Sequence, residues 1–142
     1  MGADAAEAPR ARRAVSDPDP RLDAGRELAR RHLGPDVTDR WRSVSPDLEE
    51  ITSRFAFGDL WSRPGLSRRD RSLVAIVVTA TLRAHPQLQW HVRGGLRAGL
   101  APAEIREALI AVSGLAGFPA AWSALEAAEP ILREAEGGAG EG

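Results

Sequence analysis

Three histidines, His32, His85 and His91, carry most of the proton chemistry open to this chain, which has 142 residues and no cysteine, lysine or tyrosine. Thiolate nucleophiles, thiolate metal sites, disulfides and lysine Schiff bases are therefore excluded. Proton transfer near neutral pH falls to imidazole, to perturbed carboxyls or to solvent. His91 is the best placed. It closes the run Pro86-Gln87-Leu88-Gln89-Trp90-His91, and on a helix Gln87 and His91, four apart, share a face, so the amide can fix the ring's tautomer. The competing reading is a structural ring bonded to a backbone carbonyl. His85 stands near a helix start and His32 near a helix end, where the dipole favours a cation. Neither needs a catalytic role. No two histidines have i, i+4 spacing, so no metal site is expected.

Upstream lies the loop Gly58 to Leu66, then Ser67-Arg68-Arg69-Asp70-Arg71, then the apolar run Leu73 to Leu82. Arg63 and Arg71 offer planar, bidentate donors suited to a carboxylate or an enolate. Arg71 has a structural alternative, pairing with Asp59 or Asp70, and Arg63 has one in simple solvation. Trp61, Trp90, Phe55 and Phe118 can wall an apolar pocket. Trp90 adjoins His91 in sequence but points roughly 100° away from it on a helix. Glu104 and Glu107 read as first-turn acids that favour the helix dipole.

Positioning these groups takes a fold, and the fold reads as all-α. Arg21 to Leu33 is a first helix, with Leu22, Leu28, Ala29 and Leu33 as its stripe and Gly34-Pro35 as its stop. Val37 to Ser43 reads as a connection carrying Trp41. Ser45-Pro46-Asp47 starts a second helix that turns Leu48, Ile51, Phe55 and Leu60 inward. Ser67 to Asp70 fits a capping box opening a third, mostly buried helix. His85-Pro86 opens a fourth and Ala101-Pro102 a fifth, whose inner stripe is Ile105, Leu109 and Val112. Pro119 opens a sixth. Small residues on helices three to six imply close packing, and the pair Gly94-Gly95 implies a tight helix or subunit contact. No period-two segment appears. The expectation is a compact six-helix single-domain bundle spanning 21–136, after a disordered arm (1–20) and before a flexible tail (137–142).

A net charge of −1 gives no global field for nucleic acid or anionic lipid, and the short Arg68–Arg71 cluster is broken by an acid. No apolar run approaches the ~20 residues of a membrane span. With no apolar leader segment in residues 1–20, a cytoplasmic protein is expected.

The ordered set Phe57-Gly58-Asp59-Leu60-Trp61-Ser62-Arg63-Pro64-Gly65-Leu66, Arg71-Ser72-Leu73, His91, Gly99, Glu104-Ile105-Arg106-Glu107 and Gly117-Phe118-Pro119-Ala120 resembles the carboxymuconolactone decarboxylase family. The resemblance covers about Asp23 to Glu134. It implies helical protomers in rings, commonly trimers or hexamers, and a site without cofactor. It also implies decarboxylation of an unsaturated, carboxylated lactone through an enolate, with His91 as general acid or base. The partner is then a small organic acid or lactone. The related alkylhydroperoxidase-D branch uses two cysteines where this chain has Ala84 and Gln87, so that redox chemistry is excluded. Three positions depart from the decarboxylase pattern: Phe55 replaces a histidine, Gln87 a glutamate and Leu115 a tyrosine. Each substitution makes the expected pocket less polar and points to a larger, less charged substrate. His91 and Arg71 are the expected catalytic pair. Arg63, Trp61, Phe55, Gln87, Trp90, Leu115 and Phe118 are the expected substrate wall. Two alternatives stand beside this: a cyclase, dehydratase or isomerase of a polyketide-like metabolite, and a non-catalytic hydrophobic-ligand or assembly module.

Overall fold

Serine caps start two of the helices. The Ser45 hydroxyl accepts from the Leu48 amide at 3.2 Å, and that of Ser67 accepts from the Asp70 amide at 3.0 Å while donating to its carboxylate. In the computed structural model, which describes residues 19–138, these caps lie in an array of seven α-helices with no strand among the described residues. The helices are α1 (Pro20–Leu33), α2 (Val37–Val44), α3 (Pro46–Ile51), α4 (Arg68–Thr81), α5 (His85–Arg97), α6 (Pro102–Ala116) and α7 (Phe118–Gly138). A π-helical segment (Thr52–Trp61) continues α3. Most of the expected arm lies outside the described residues; Asp19 caps the Arg21 amide and Pro20 opens α1. Gly137 and Gly138, expected in a tail, are helical, and the last four residues lie outside the described range.

Two expectations need correction. The stretch taken as a connection is α2, because tertiary contacts hold it: Val37 and Thr38 are buried, and Arg30 Nε donates to the Thr38 hydroxyl at 2.9 Å. Six helices thus become seven. The inner face of α3 and the π segment is also the reverse of the expected one. Leu48, Ile51 and Phe55 face outward, while Glu49, Ser53 and Phe57 are buried. Burial of Glu49 is tolerated because both carboxylate oxygens are engaged by Arg26 at 2.8 Å and one also by Ser53 at 2.9 Å. That bidentate pair lowers the carboxyl pKa and satisfies the charge that burial would otherwise leave exposed to a low dielectric. Two glycines let the backbones close in: a Cβ on Gly25 of α1 would lie 1.8 Å from the Ser53 carbonyl oxygen, and one on Gly58 of the π segment 2.5 Å from the Arg21 carbonyl oxygen.

The main core sits among α4, α5, α6 and α7, with Ile76, Leu88, Val92, Ile105, Leu109 and Leu132 buried. Alanines at 120, 121, 124 and 128 form the inner face of α7, so the expected small-residue packing is present. A second cluster, Ala29, Leu33, Val37 and Phe57, joins α1, α2 and the π segment. Between the two clusters lies the site.

Candidate functional site

Three elements deliver one aromatic side chain each to a single point. The last turn of α1 brings His32, the end of the π segment brings Trp61, and the middle of α5 brings His91. Trp61 and His91 stack with ring centroids 5.8 Å apart and planes 10° from parallel. His32 packs against Trp61 at 4.3 Å, and its Nε2 lies 3.5 Å from Nδ1 of His91. The ring of His32 occupies space that only a glycine on α5 leaves open: a Cβ on Gly94 would lie 2.4 Å from His32 Cε1. Gly95 makes the neighbouring close contact, with Leu100 and Ile76. The paired glycines therefore serve helix contacts within the chain.

Both imidazoles are held neutral at pH 7. Burial pushes the His32 pKa down to about 3, and the nearby His91, Arg68 and Arg97 oppose its cation further. Burial alone pushes His91 down to about 4. Removing an imidazolium from water disfavours the charged form, which is why a base moves down. His32 is thus not the dipole-stabilised surface cation expected from its place near a helix end; its side chain turns inward and is fully buried. The helix end is served instead by Arg97, whose Nη1 donates to the His32 carbonyl at 2.9 Å.

The arginine loop lies between the π segment and α4. Arg71 Nη2 donates to the Arg63 carbonyl at 2.8 Å, while Arg71 Nε is buried without a partner. The two acids that Arg71 had as structural alternatives are engaged elsewhere: Asp59 lies 3.6 Å from Arg21, and Asp70 lies 3.8 Å from Arg69. Arg69 also pairs with Glu104, in keeping with a structural role for that acid. No ion pair joins Arg63, Arg68, Arg71 or Arg97 to a carboxylate among the described residues.

The remaining expected site residues lie elsewhere in the single chain. From Trp61 a run of aromatics passes through Phe57 (5.4 Å) and Trp41 (5.9 Å) to Trp90 (6.4 Å). Trp90 and Gln87 line a hollow of about 320 Å³ with Trp41, Val44, Leu48 and Thr52, and His91 is not in its wall. The His91 ring has no hydrogen bond with Gln87 among the described residues; the polar group beside its Nδ1 is His32 Nε2. Phe55, Leu115 and Phe118 are 56%, 89% and 70% exposed. Phe118 borders a second groove of about 260 Å³ with Ile110 and Trp122. The structure joins His91 to Trp61, joins Gln87 to Trp90, and leaves the other three on outer faces. His32 is the residue that sequence reasoning missed. A signal for it existed: Gly25, Ala29 and His32 share helical spacing, and they form the buried stripe of α1.

Comparison with known proteins matches residues 46–130 to the carboxymuconolactone decarboxylase family. The chain belongs to this family. A 4-carboxymuconolactone decarboxylase of Acinetobacter baylyi is 34% identical over 107 residues, covering 75% of this chain and 79% of that protein. A nitrosuccinic acid decarboxylase of Metarhizium robertsii is 28% identical over 117 residues, covering 80% and 82%. An uncharacterised 15.0 kDa protein of Paracoccus denitrificans is 40% identical over 81 residues, covering 55% and 60%. The family match takes in Trp61, the arginine loop and His91. It leaves out α1, and with it His32.

Proposed function

We propose that this family member is a cofactor-independent decarboxylase of a small unsaturated acid or lactone bearing a carboxylate, acting through an enolate. The observation that carries the reading is His91, neutral and stacked on Trp61, in a region whose nearby cations, Arg68 and Arg97, lack carboxylate partners among the described residues. Such a site is positive, poorly hydrated and suited to a developing oxyanion. The names of two relatives, decarboxylases of different acids, agree with it. In the proposed step the bond between the carboxylate and its carbon breaks, CO₂ leaves, and the electron pair delocalises onto a conjugated carbonyl oxygen. A proton from water then completes the carbon. Arg63 and Arg71 hold the substrate's anionic end. His91, expected as a general acid or base, works instead from the neutral form that burial imposes on it, donating an N–H to the enolate oxygen.

A homo-oligomer, a trimer or hexamer, gathers the remaining wall. Phe55, Leu115 and Phe118 are apolar and solvent-facing in one chain, and exposed apolar patches of this kind mark contact surfaces. No described helix is long and apolar enough to cross a membrane. With Phe55, Gln87 and Leu115 at the wall, the favoured substrate is larger and less charged than carboxymuconolactone. The test is incubation of purified protein with carboxymuconolactone and a panel of β-keto acids. CO₂ release is expected. A product of unchanged mass or one lighter by water indicates a cyclase, isomerase or dehydratase instead, and binding without turnover indicates a ligand-holding module.

A further inference from the structure

We propose that His32 is a positioning residue whose Nε2–H donates to Nδ1 of His91, fixing His91 in the tautomer that carries its own proton on Nε2. That nitrogen is the one left to face a substrate oxyanion. The catalytic meaning of the proposal rests on the decarboxylase reading; its geometry does not.

Four observations support it. The nitrogens are 3.5 Å apart, at the outer edge of hydrogen bonding, and catalytic hydrogen bonds are often long before substrate binds. The His32 ring is held from several sides: Trp61 lies against it, the missing side chain of Gly94 makes room for it, and Arg97 anchors its carbonyl. The direction of donation follows from the other nitrogen. His32 Nδ1 is buried with no partner, and a proton there would be a stranded donor, which folded proteins very rarely tolerate. The proton therefore belongs on Nε2, pointed at His91. Finally, the charged groups that bear on His32 are Arg68 and Arg97, with His91 itself; all disfavour a cation there, so the pair meets as two neutral rings and one donor–acceptor contact orders both tautomers.

The consequence is chemical. A neutral imidazole free to choose its tautomer presents a bare lone pair to an oxyanion part of the time, which repels it. One held as Nε2–H always presents a donor.

The test needs no substrate at its first stage. The chain has three histidines, so a two-bond ¹H–¹⁵N correlation spectrum of the full protein at pH 7 resolves each imidazole. We expect His91 as a single Nε2–H tautomer in the wild type. His32→Leu should give a mixture, and His32→Gln, whose amide nitrogen stands where Nε2 stood, should restore the bias. A wild-type His91 protonated on Nδ1, or a tautomer unchanged in His32→Leu, overturns the proposal. If the leucine variant does not fold, the wild-type and glutamine spectra decide. At the second stage, with an acid that the wild type decarboxylates, His32→Leu should lower kcat about tenfold or more with little change in KM; an unchanged kcat overturns the positioning role. Should no acid be turned over while the tautomer result holds, the decarboxylase reading fails and His32's assignment stands.

Discussion

Two neutral imidazoles inside the fold make its stability depend on pH in a window where little else titrates. The unfolded chain binds a proton at each histidine near pH 6.5, whereas folded His32 resists protonation down to about 3 and His91 to about 4. Between those limits the unfolded state holds more protons, so stability rises with pH and is lost as pH falls below about 6.5. For fully buried His32 the loss between pH 7 and 5 is about 2 kcal/mol, and His91, which keeps contact with solvent, adds a smaller share, for roughly 2–4 kcal/mol together. Carboxylates held low by arginine, such as Glu49, have an unfolded pKa near 4.3 and contribute their losses mainly below this window. The assay is urea unfolding at pH 7, 6 and 5 at fixed protein concentration, with His32→Leu alongside. The wild type should lose roughly 2–4 kcal/mol of unfolding free energy across that range, and the variant should show a slope smaller by about 1.4 kcal/mol per pH unit at the acid end. A wild-type stability flat from pH 7 to 5, or a variant with the wild-type slope, would refute the burial of His32 as a neutral ring.

Other outcomes follow from the same geometry. Gly94→Ala should destabilise by about 1–3 kcal/mol, because its Cβ meets the His32 ring; in a His32→Ala background most of that cost should vanish, which a double-mutant cycle by denaturant titration measures. Glu49→Ala should cost about 3 kcal/mol by the same assay, since Arg26 then loses the partner that compensates its partial burial. Light scattering coupled to size exclusion should give a trimer or hexamer, and Leu115→Glu, at an 89% exposed position, should shift the mass downward. A wild-type monomer would remove the oligomeric part of the proposed site.

Much of this arrangement was legible locally. The serine caps at 45 and 67, the proline starts of α5 and α6, and the glycine pair of α5 each state their role within a few residues. Trp61 and His91 each read in the sequence as candidate site residues, and the structure stacks their rings. What was not legible depends on distant partners. Glu49 lies inward because Arg26, 23 residues earlier, reaches both its oxygens. That single pairing reverses the expected inner face of α3 and sends Leu48, Ile51 and Phe55 outward. His32 was misplaced for a similar reason: dipole reasoning sees a helix end, while the decisive feature is a missing side chain on α5. The π-helical hydrogen-bond pattern of Thr52–Trp61 has no sequence signature that we can name, although Gly58 within it lets α1 approach.

The account turns on His91 as the group that meets the enolate. Its most direct test is CO₂ release from carboxymuconolactone and β-keto acids by the wild type and by His91→Ala, compared at saturating substrate. Loss of one well-placed donor should lower kcat by roughly 10²–10³-fold with the fold intact. Equal rates of CO₂ release from the two proteins would contradict it.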